Sequence, residues 1–179
     1  YSAAVLARGG RVLLLLPQSS GLEGDLPSLC SQLKLPKETP IYLYTSSLSD
    51  RERASLRYRL TESDAPLIVV GSRMAALLPL EGVELIIVAE EQDPLYKQQE
   101  PAPRFNARDL LAYRATKSKI PLLLTSVTPS METYHNVAHD KYAATASQES
   151  FALATFRTID LDYERTTRRL KTGTLLSLP

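Results

Sequence analysis

Two adjacent carboxylates follow one of the apolar runs of the chain. Leu85-Ile86-Ile87-Val88 leads directly into Ala89-Glu90-Glu91-Gln92. In open α/β sheets, ligands bind outside the carboxyl ends of the strands, so acids at this point are placed to hold a magnesium ion or to orient a water. Solvated acidic loops are also common at strand ends. The pair by itself therefore leaves both interpretations open.

Polar segments follow three other apolar runs in the same way. Because the carboxyl ends of parallel strands meet at one edge of a sheet, we expect all four segments to converge there. The three further segments are Pro17-Gln18, Gly71-Ser72-Arg73 and Thr125-Ser126-Val127-Thr128-Pro129-Ser130.

The apolar runs predict the strands that position these segments. Each run is short, continuous rather than alternating, and bounded by polar or breaker residues, which is typical of parallel strands covered on both faces. Helical segments lie between the runs, so the sequence predicts an α/β fold with a doubly wound, mostly parallel sheet and helices on both faces. The predicted strands are Val12–Leu16, Ile41–Tyr44, Leu67–Val70, Leu85–Val88 and Leu122–Leu124.

Capping residues indicate where the helices begin. Ser49-Asp50-Arg51-Glu52 has the form of a capping box and predicts a helix to about Leu60. Asn106 predicts a cap for Ala107–Lys117, and Thr128-Pro129 predicts the start of a helix through Val137. Tyr1–Ala7 predicts a helix already in progress, because it begins without a capping residue.

The ends of the chain bear on its domain organisation. We expect residues 1–165 to form one domain, with one or two further strands in Phe151–Asp162. Residues 166–179, which begin with the basic segment Thr166–Lys171, are expected to be a tail or linker. Gln92–Arg108 is the longest segment without a clear period, and loops of that length are uncommon unless they carry function.

Composition excludes several classes of protein and site. The 179 residues carry a net charge of +1, so any DNA contact must come from a local patch. Cys30 is the only cysteine, which excludes an internal disulfide and a cysteine-based metal cluster, and we expect a packed core thiol. The seven glycines form neither a phosphate-binding loop nor a dinucleotide fingerprint. His135 and His139 are expected to be exposed helix residues rather than a zinc pair.

No segment predicts a membrane span or a secretory signal. The apolar runs are far shorter than the roughly 20 residues that cross a bilayer. The beginning of the chain also lacks the charged, apolar and small-residue regions of a signal peptide. We therefore expect no membrane partner and a cytoplasmic location.

The order of the motifs resembles the first RecA-like lobe of superfamily 2 helicases. Within that superfamily it is most similar to the primosomal protein N′ family of replication-restart helicases, strongly from Val69 to about Tyr142. Four strings carry the resemblance: Gly71-Ser72-Arg73-Met74-Ala75 with Leu78-Pro79, Tyr96-Lys97-Gln98-Gln99-Glu100, Pro103-Arg104-Phe105-Asn106-Ala107-Arg108-Asp109-Leu110, and Thr128-Pro129-Ser130-Met131-Glu132.

The resemblance implies roles around the nucleotide. Glu90 would be the acid that polarises the attacking water, and Gln92 would help link the ATP site to DNA. These two are the expected catalytic residues. Contacts to ATP are implied for Glu90, Glu91, Ser126 and Thr128.

The resemblance also implies a DNA-contacting surface. Ser72 and Arg73 would lie along a DNA strand. Tyr96 to Arg108 would match the aromatic-rich loop by which such helicases sense single-stranded DNA, including Gln98 and Gln99. Base stacking suits Tyr96 and Phe105, and phosphate contacts suit Lys97, Arg104 and Arg108. The alternative for this loop is a buried aromatic anchor with solvated charges.

The chain departs from the family pattern at the nucleotide site. Family members carry Asp-Glu-Glu-His where this chain has Ala89-Glu90-Glu91-Gln92, and a methyl group cannot ligate Mg²⁺. We expect the phosphate-binding loop to lie before Tyr1 and the second lobe to be absent from this chain. ATP and Mg²⁺ are thus expected cofactors of the parent protein, with neither bound by this chain alone.

Three interpretations follow from these residues. The first is a fragment of an ATP-dependent DNA helicase acting in replication restart, with single-stranded or forked DNA and replication-restart proteins as partners. The second is a helicase-like lobe without ATP turnover that serves as a DNA- or partner-binding module. Ala89 favours the second, whereas Glu90, Gln92 and Ser126 favour the first. An unrelated α/β enzyme has only the general sheet pattern behind it.

We predict that the purified chain hydrolyses no ATP, because the magnesium acid is replaced by Ala89 and no phosphate-binding loop is present in the 179 residues. Phosphate release measured with Mg²⁺, with and without single-stranded DNA, checks this. A magnesium-dependent, DNA-stimulated release of phosphate would overturn it.

Overall fold

The computed structural model describes residues 1–17, 39–45, 47–62, 65–79, 81–100 and 102–145. Tyr1–Tyr142 form one compact unit. The predictions made for Gln18, Cys30, Phe151–Asp162 and Thr166–Lys171 lie outside the described residues, as does the expected boundary after residue 165.

Five strands and four helices make up the described part of the chain. The strands are β1 (Arg11–Leu15), β2 (Ile41–Tyr44), β3 (Leu67–Gly71), β4 (Val83–Val88) and β5 (Leu122–Leu124). The α-helices are α1 (Ser2–Ala7), α2 (Asp50–Glu62), α3 (Ala107–Ser118) and α4 (Met131–Ala138), with 3₁₀ helices at Arg73–Leu77 and Pro94–Tyr96.

The strands form one sheet in the order β2-β3-β1-β4-β5, and every ladder is parallel. The chain enters at the centre with β1, continues to β2 and β3 on one side, and then crosses to β4 and β5 on the other. This reversal at β1 is the doubly wound arrangement, so the predicted fold class is confirmed.

Side chains of β1 alternate between two apolar layers, one on each face of the sheet. Val12 and Leu14 pack with Val5 and Leu6 of α1. Leu13 and Leu15 belong to the other layer, with Leu56 and Leu60 of α2 and Leu111 and Ala115 of α3. Because both faces are covered, continuous apolar strands are stable here, and helices lie on both faces as predicted.

Two of the three predicted helix caps are confirmed. The Ser49 amide donates to Glu52 Oε2 at 2.8 Å, and the Glu52 amide donates to Ser49 Oγ at 3.3 Å. Asn106 Oδ1 accepts from the Arg108 amide at 3.0 Å.

The third predicted cap is wrong by two residues. Ser130, and not Thr128, has the extended backbone of the cap and accepts from the Thr133 amide through its hydroxyl. The Ser130 amide donates to the Glu91 carboxylate, which lies outside the helix. Ser130 is therefore the last residue of the loop, and the helix begins at Met131.

His135 and His139 are exposed on and just after α4, as predicted, with ring centroids 4.0 Å apart. Within the described ranges, no helix is both long and apolar enough to cross a bilayer.

Substitution of Leu60 tests the layer beneath α2. Leu60 is 2% exposed. Leu60→Ala should lower the free energy of unfolding by about 3 kcal/mol, because a cavity replaces a buried side chain. Urea denaturation followed by circular dichroism measures this. Tyr58→Ala, at an exposed position on the same helix, should stay within about 0.5 kcal/mol of the unmodified chain. Equal losses for both variants would contradict the packing described.

Candidate functional site

The polar segments after β1, β3, β4 and β5 meet at one edge of the sheet. Backbone hydrogen bonds continue the ladders beyond the strand ends, so the segments stay in register as they leave the sheet. These bonds are Leu16 N to Gly71 O at 2.9 Å, Ala89 N to Leu15 O at 3.0 Å, and Thr125 N to Val88 O at 2.9 Å. The predicted convergence is therefore present for every one of these segments that the structure describes.

Gly71 ends β3 at a point where the backbone packs too closely for a side chain. A Cβ atom there would lie 2.6 Å from Ala75 Cβ and 2.7 Å from the Tyr44 carbonyl oxygen. The glycine thus lets the chain turn at once into the 3₁₀ helix that begins at Arg73. Ser72 and Arg73 are half-buried at this turn.

The two adjacent acids after β4 face in opposite directions. Glu90 has a left-handed backbone with φ of 49°, which residues other than glycine rarely adopt. Its side chain is exposed, whereas Glu91 is 2% exposed. Glu90 is consequently open to a water or a ligand.

The Glu91 carboxylate is satisfied inside the protein. It accepts from the Ser130 amide at 2.6 Å, from the Ser130 hydroxyl at 2.9 Å and from Arg108 Nη1 at 2.9 Å. Burial alone would raise the pKa of Glu91, but these hydrogen bonds favour the ionised form and hold the pKa below its usual value. Both Glu91 oxygens are bonded and enclosed in this structure, so neither is open to a ligand such as ATP.

Arg108 is the cation of a buried ion pair. Its side chain is 8% exposed, and it also donates to the Ser130 hydroxyl at 2.7 Å and to Asp109 at 2.8 Å. Burial by itself would lower the pKa of Arg108, yet bonds to Asp109 and Glu91 raise it. Its guanidinium is enclosed and bonded in this structure, so it is not open to a phosphate.

The donor set at this edge does not fit a magnesium ion. Hard cations need several oxygen ligands, and Ala89 offers only a methyl group where the family has an aspartate. Glu91 is committed to Arg108 and Ser130, which leaves Glu90 as the open carboxylate of the pair. In the part of the chain that is described, no group of three or more His, Cys, Asp or Glu side chains could hold a metal.

Gln92 and Ser126 are in direct contact. The Ser126 hydroxyl donates to Gln92 Oε1 at 2.6 Å, and both side chains are half-buried. This bond joins the segment after β4 to the segment after β5. Thr128 lies two residues further on and is exposed.

Tyr96 anchors the loop that follows β4. Its ring is fully buried, and its single hydroxyl proton is shared between the Ala89 carbonyl at 2.6 Å and the Leu15 carbonyl at 3.2 Å. Burial, together with the negative charges of Asp93 and Glu90, raises the pKa of Tyr96. Tyr96 is thus a buried anchor in this structure, the alternative that the sequence left open, and its ring is not available to stack on a base.

The rest of the loop forms a narrow antiparallel turn. Lys97 bridges Asn106, and the Gln98 amide donates to the Phe105 carbonyl at 2.8 Å. Gln98 is buried and Phe105 is half-buried against the core. In this structure neither side chain is open to contact DNA. The exposed members of the predicted DNA set in this loop are Lys97, Gln99 and Arg104.

One contact joins the two segments predicted to bind DNA. Arg73 Nη1 donates to the Lys97 carbonyl at 3.3 Å. The turn after β3 and the loop after β4 therefore form one continuous surface, defined here as the edge surface: Ser72, Arg73, Lys97, Gln99 and Arg104.

Ser130 is the residue that sequence reasoning missed. It contacts both members of the buried ion pair and caps α4. Its position directly before Met131 was the available signal, since serine is a preferred N-cap residue, but the neighbouring Thr128-Pro129 gave a competing signal.

Comparison with known proteins identifies homologues of this chain. No protein-family model matches the chain. The replication restart protein PriA of Synechocystis sp. is 35% identical over 132 residues, covering 74% of this chain and 15% of that protein. PriA of Chlamydia pneumoniae is 31% identical over 181 aligned positions, covering 99% of this chain and 23% of that protein. PriA of Helicobacter pylori strain J99 is 36% identical over 132 residues, covering 74% and 20%. This chain is homologous to one segment of PriA.

The chain thus spans about a fifth of the length of these PriA relatives. PriA proteins are the members of the primosomal protein N′ family. The family resemblance that the sequence motifs indicated is therefore confirmed. Among solved structures, the C-terminal part of the Fun30 ATPase domain matches with a TM-score of 0.47 and 16% identity, covering 75% of this chain and 41% of that one.

The variant Tyr96→Phe tests whether the Tyr96 hydroxyl anchors the loop. The variant keeps the aromatic ring but removes the hydroxyl that donates to the Ala89 carbonyl, whereas the Leu15 carbonyl keeps the Ala89 amide as a donor. The free energy of unfolding should therefore fall by about 1–2 kcal/mol. Urea denaturation measures the loss, with Tyr113→Phe at an exposed position as the control. An unchanged stability for Tyr96→Phe would contradict the anchoring role.

Proposed function

We propose that the chain is part of a PriA-type DNA helicase, in which it supplies DNA contacts and one side of an ATP cleft. By itself it binds DNA and does not turn over ATP. The observation that carries this proposal is the Arg73–Lys97 contact, which joins two separately predicted DNA segments into the edge surface. Homology to PriA supports the same assignment.

The edge surface suits the DNA backbone more than the bases. Lys97 and Arg104 are exposed cations, while the two aromatic residues of the loop, Tyr96 and Phe105, are buried or half-buried. Phosphate contacts position a protein on DNA without reading its sequence. We therefore expect binding that is independent of sequence and strongly weakened by salt.

Arg104 is held by a competing carboxylate in the free protein. Its Nη2 lies 2.6 Å from Glu100 Oε1, and both side chains are exposed. Exposed pairs of this kind contribute at most about 1 kcal/mol, so a DNA phosphate can replace Glu100 as the partner.

The edge surface also lies beside the proposed ATP side of the lobe. We call the segment Tyr96–Arg108 the DNA loop, after its proposed role. Tyr96, at its start, bonds the carbonyls of Leu15 at the end of β1 and of Ala89 just after β4. Gln92 bonds Ser126 at the next position along the edge. In this proposal Glu90 orients the attacking water of the complete protein, which acts in the cytoplasm on single-stranded or forked DNA with replication-restart proteins.

A second candidate function is favoured by Ala89. In that case the parent protein is a DNA- or partner-binding module that has lost ATP turnover. Both candidates use the edge surface, so they differ in the nucleotide chemistry of the complete protein. A magnesium-dependent, DNA-stimulated ATPase activity in the complete protein would favour the helicase, and its absence would favour the binding module.

The edge surface makes DNA binding by the chain directly testable. We expect a fluorescein-labelled oligothymidylate to bind at low salt and to be released as salt is raised, as followed by fluorescence anisotropy. Lys97→Ala combined with Arg104→Ala should weaken binding and reduce the slope of log K against log salt by about 0.7 for each phosphate contact removed.

The matched control is Lys117→Ala. Lys117 is also exposed, but it lies in the last turn of α3, shortly before the amino end of β5. The edge surface lies at the carboxyl ends of the strands. An equal loss of affinity for the control, or no binding by the unmodified chain at low salt, would contradict the proposed DNA contacts.

A further inference from the structure

Glu91 fixes both ends of the segment that follows β5. We define the β5 loop as Thr125–Ser130. At its beginning, the Glu91 amide donates to the Thr125 carbonyl at 3.0 Å. At its end, the Glu91 carboxylate accepts from the Ser130 amide at 2.6 Å and from the Ser130 hydroxyl at 2.9 Å. A single buried residue therefore sets the span of the loop.

Arg108 locks this arrangement to the base of the DNA loop. Its Nη1 donates to Glu91 Oε2 at 2.9 Å and to the Ser130 hydroxyl at 2.7 Å. Arg108 lies two residues after Asn106, which caps α3. Asn106 also pairs with Lys97 and so closes the antiparallel turn. The β5 loop and the DNA loop thus share one buried ion pair.

Between its fixed ends, the β5 loop presents the hydroxyl of Ser126 to Gln92. The two atoms are 2.6 Å apart, and the next three residues, Val127, Thr128 and Pro129, are exposed. Exposed loop residues have little packing of their own to hold them in place. The position of Ser126 consequently depends on the bonds at the two ends of the loop.

The chemistry of the pair fits positioning and not ligand binding. The side chains of Arg108 and Glu91 are 8% and 1% exposed, so neither is open to a nucleotide or a phosphate. A buried ion pair is seldom needed for stability, since apolar residues of the same volume often do as well, but it restricts the partners to one geometry. Arginine also offers a planar fork that lysine cannot reproduce.

We infer that Glu91 and Arg108 are positioning residues that hold the β5 loop in the register in which Ser126 reaches Gln92, and that connect this bond to the base of the DNA loop. The link to DNA rests on the proposed function. The register of the loop does not, because it follows from contacts within the chain.

The test is nuclear magnetic resonance of the ¹⁵N-labelled full chain without DNA. The side-chain amide signals of Gln92 report its bond to Ser126, and hydrogen exchange reports the Ser130 amide. In Glu91→Gln and in Arg108→Lys, we expect the Gln92 signals to move. In Glu91→Gln the Ser130 amide should also exchange at least about tenfold faster, because it loses its charged acceptor.

The matched control is Leu60→Ala, which weakens the whole unit without touching the β5 loop. In this variant exchange should rise in the strands as well, and the Gln92 signals should stay at their original positions. A merely structural role for the ion pair predicts the same behaviour in Glu91→Gln as in Leu60→Ala.

A milder variant keeps the test decisive if Glu91→Gln does not fold. Ser130→Ala retains the ion pair and removes the hydroxyl that contacts both of its members, and it should also move the Gln92 signals. Unchanged Gln92 signals in all the folded variants of these three residues would overturn the inference, as would an equal change in Leu60→Ala. Because no DNA is present, failure of the DNA-binding experiment counts against the proposed function alone.

Discussion

The buried, ionised carboxylate of Glu91 needs a positive partner and hydrogen-bond donors inside the protein. The residues that supply them are the ones that shape this edge of the sheet. An ionised carboxylate taken out of water is strongly destabilising unless it is paired and hydrogen-bonded. Arg108 supplies the charge, while the amide and hydroxyl of Ser130 supply the remaining donors. These partners come from the start of α3 and the start of α4. Satisfying one buried charge therefore fixes the relative positions of both helix starts and the turn after β4.

A second buried polar group connects the DNA loop to the same edge. The Tyr96 hydroxyl must find acceptors because its ring is enclosed, and it finds them in the carbonyls of Leu15 and Ala89. With its base held by Tyr96 and Arg108, the loop leaves Lys97, Gln99 and Arg104 exposed. The residues of this loop thus divide into buried side chains that hold it in place and charged or polar side chains that are exposed.

The turn at Glu90 gives the two adjacent acids different chemistry. The left-handed backbone of Glu90 costs of the order of 1 kcal/mol for a residue with a side chain, and it directs one acid to solvent and the next into the protein. Ala89, directly before them, offers only a methyl group, so Glu90 carries the open carboxylate of this turn. The chain that contains the turn is homologous to one segment of PriA.

The sequence by itself determined the strands, most of the helix starts and the family. Continuous apolar runs identify strands covered on both faces, and the caps at Ser49 and Asn106 act within three residues, so both signals are local. Only the tertiary structure decided which of the two acids is buried, that Tyr96 is an anchor, and that Ser130 rather than Thr128 caps α4. The partners of Glu91 lie 17 and 39 residues away along the chain. No local pattern specifies such contacts, because they exist only once the sheet has brought the strand ends together.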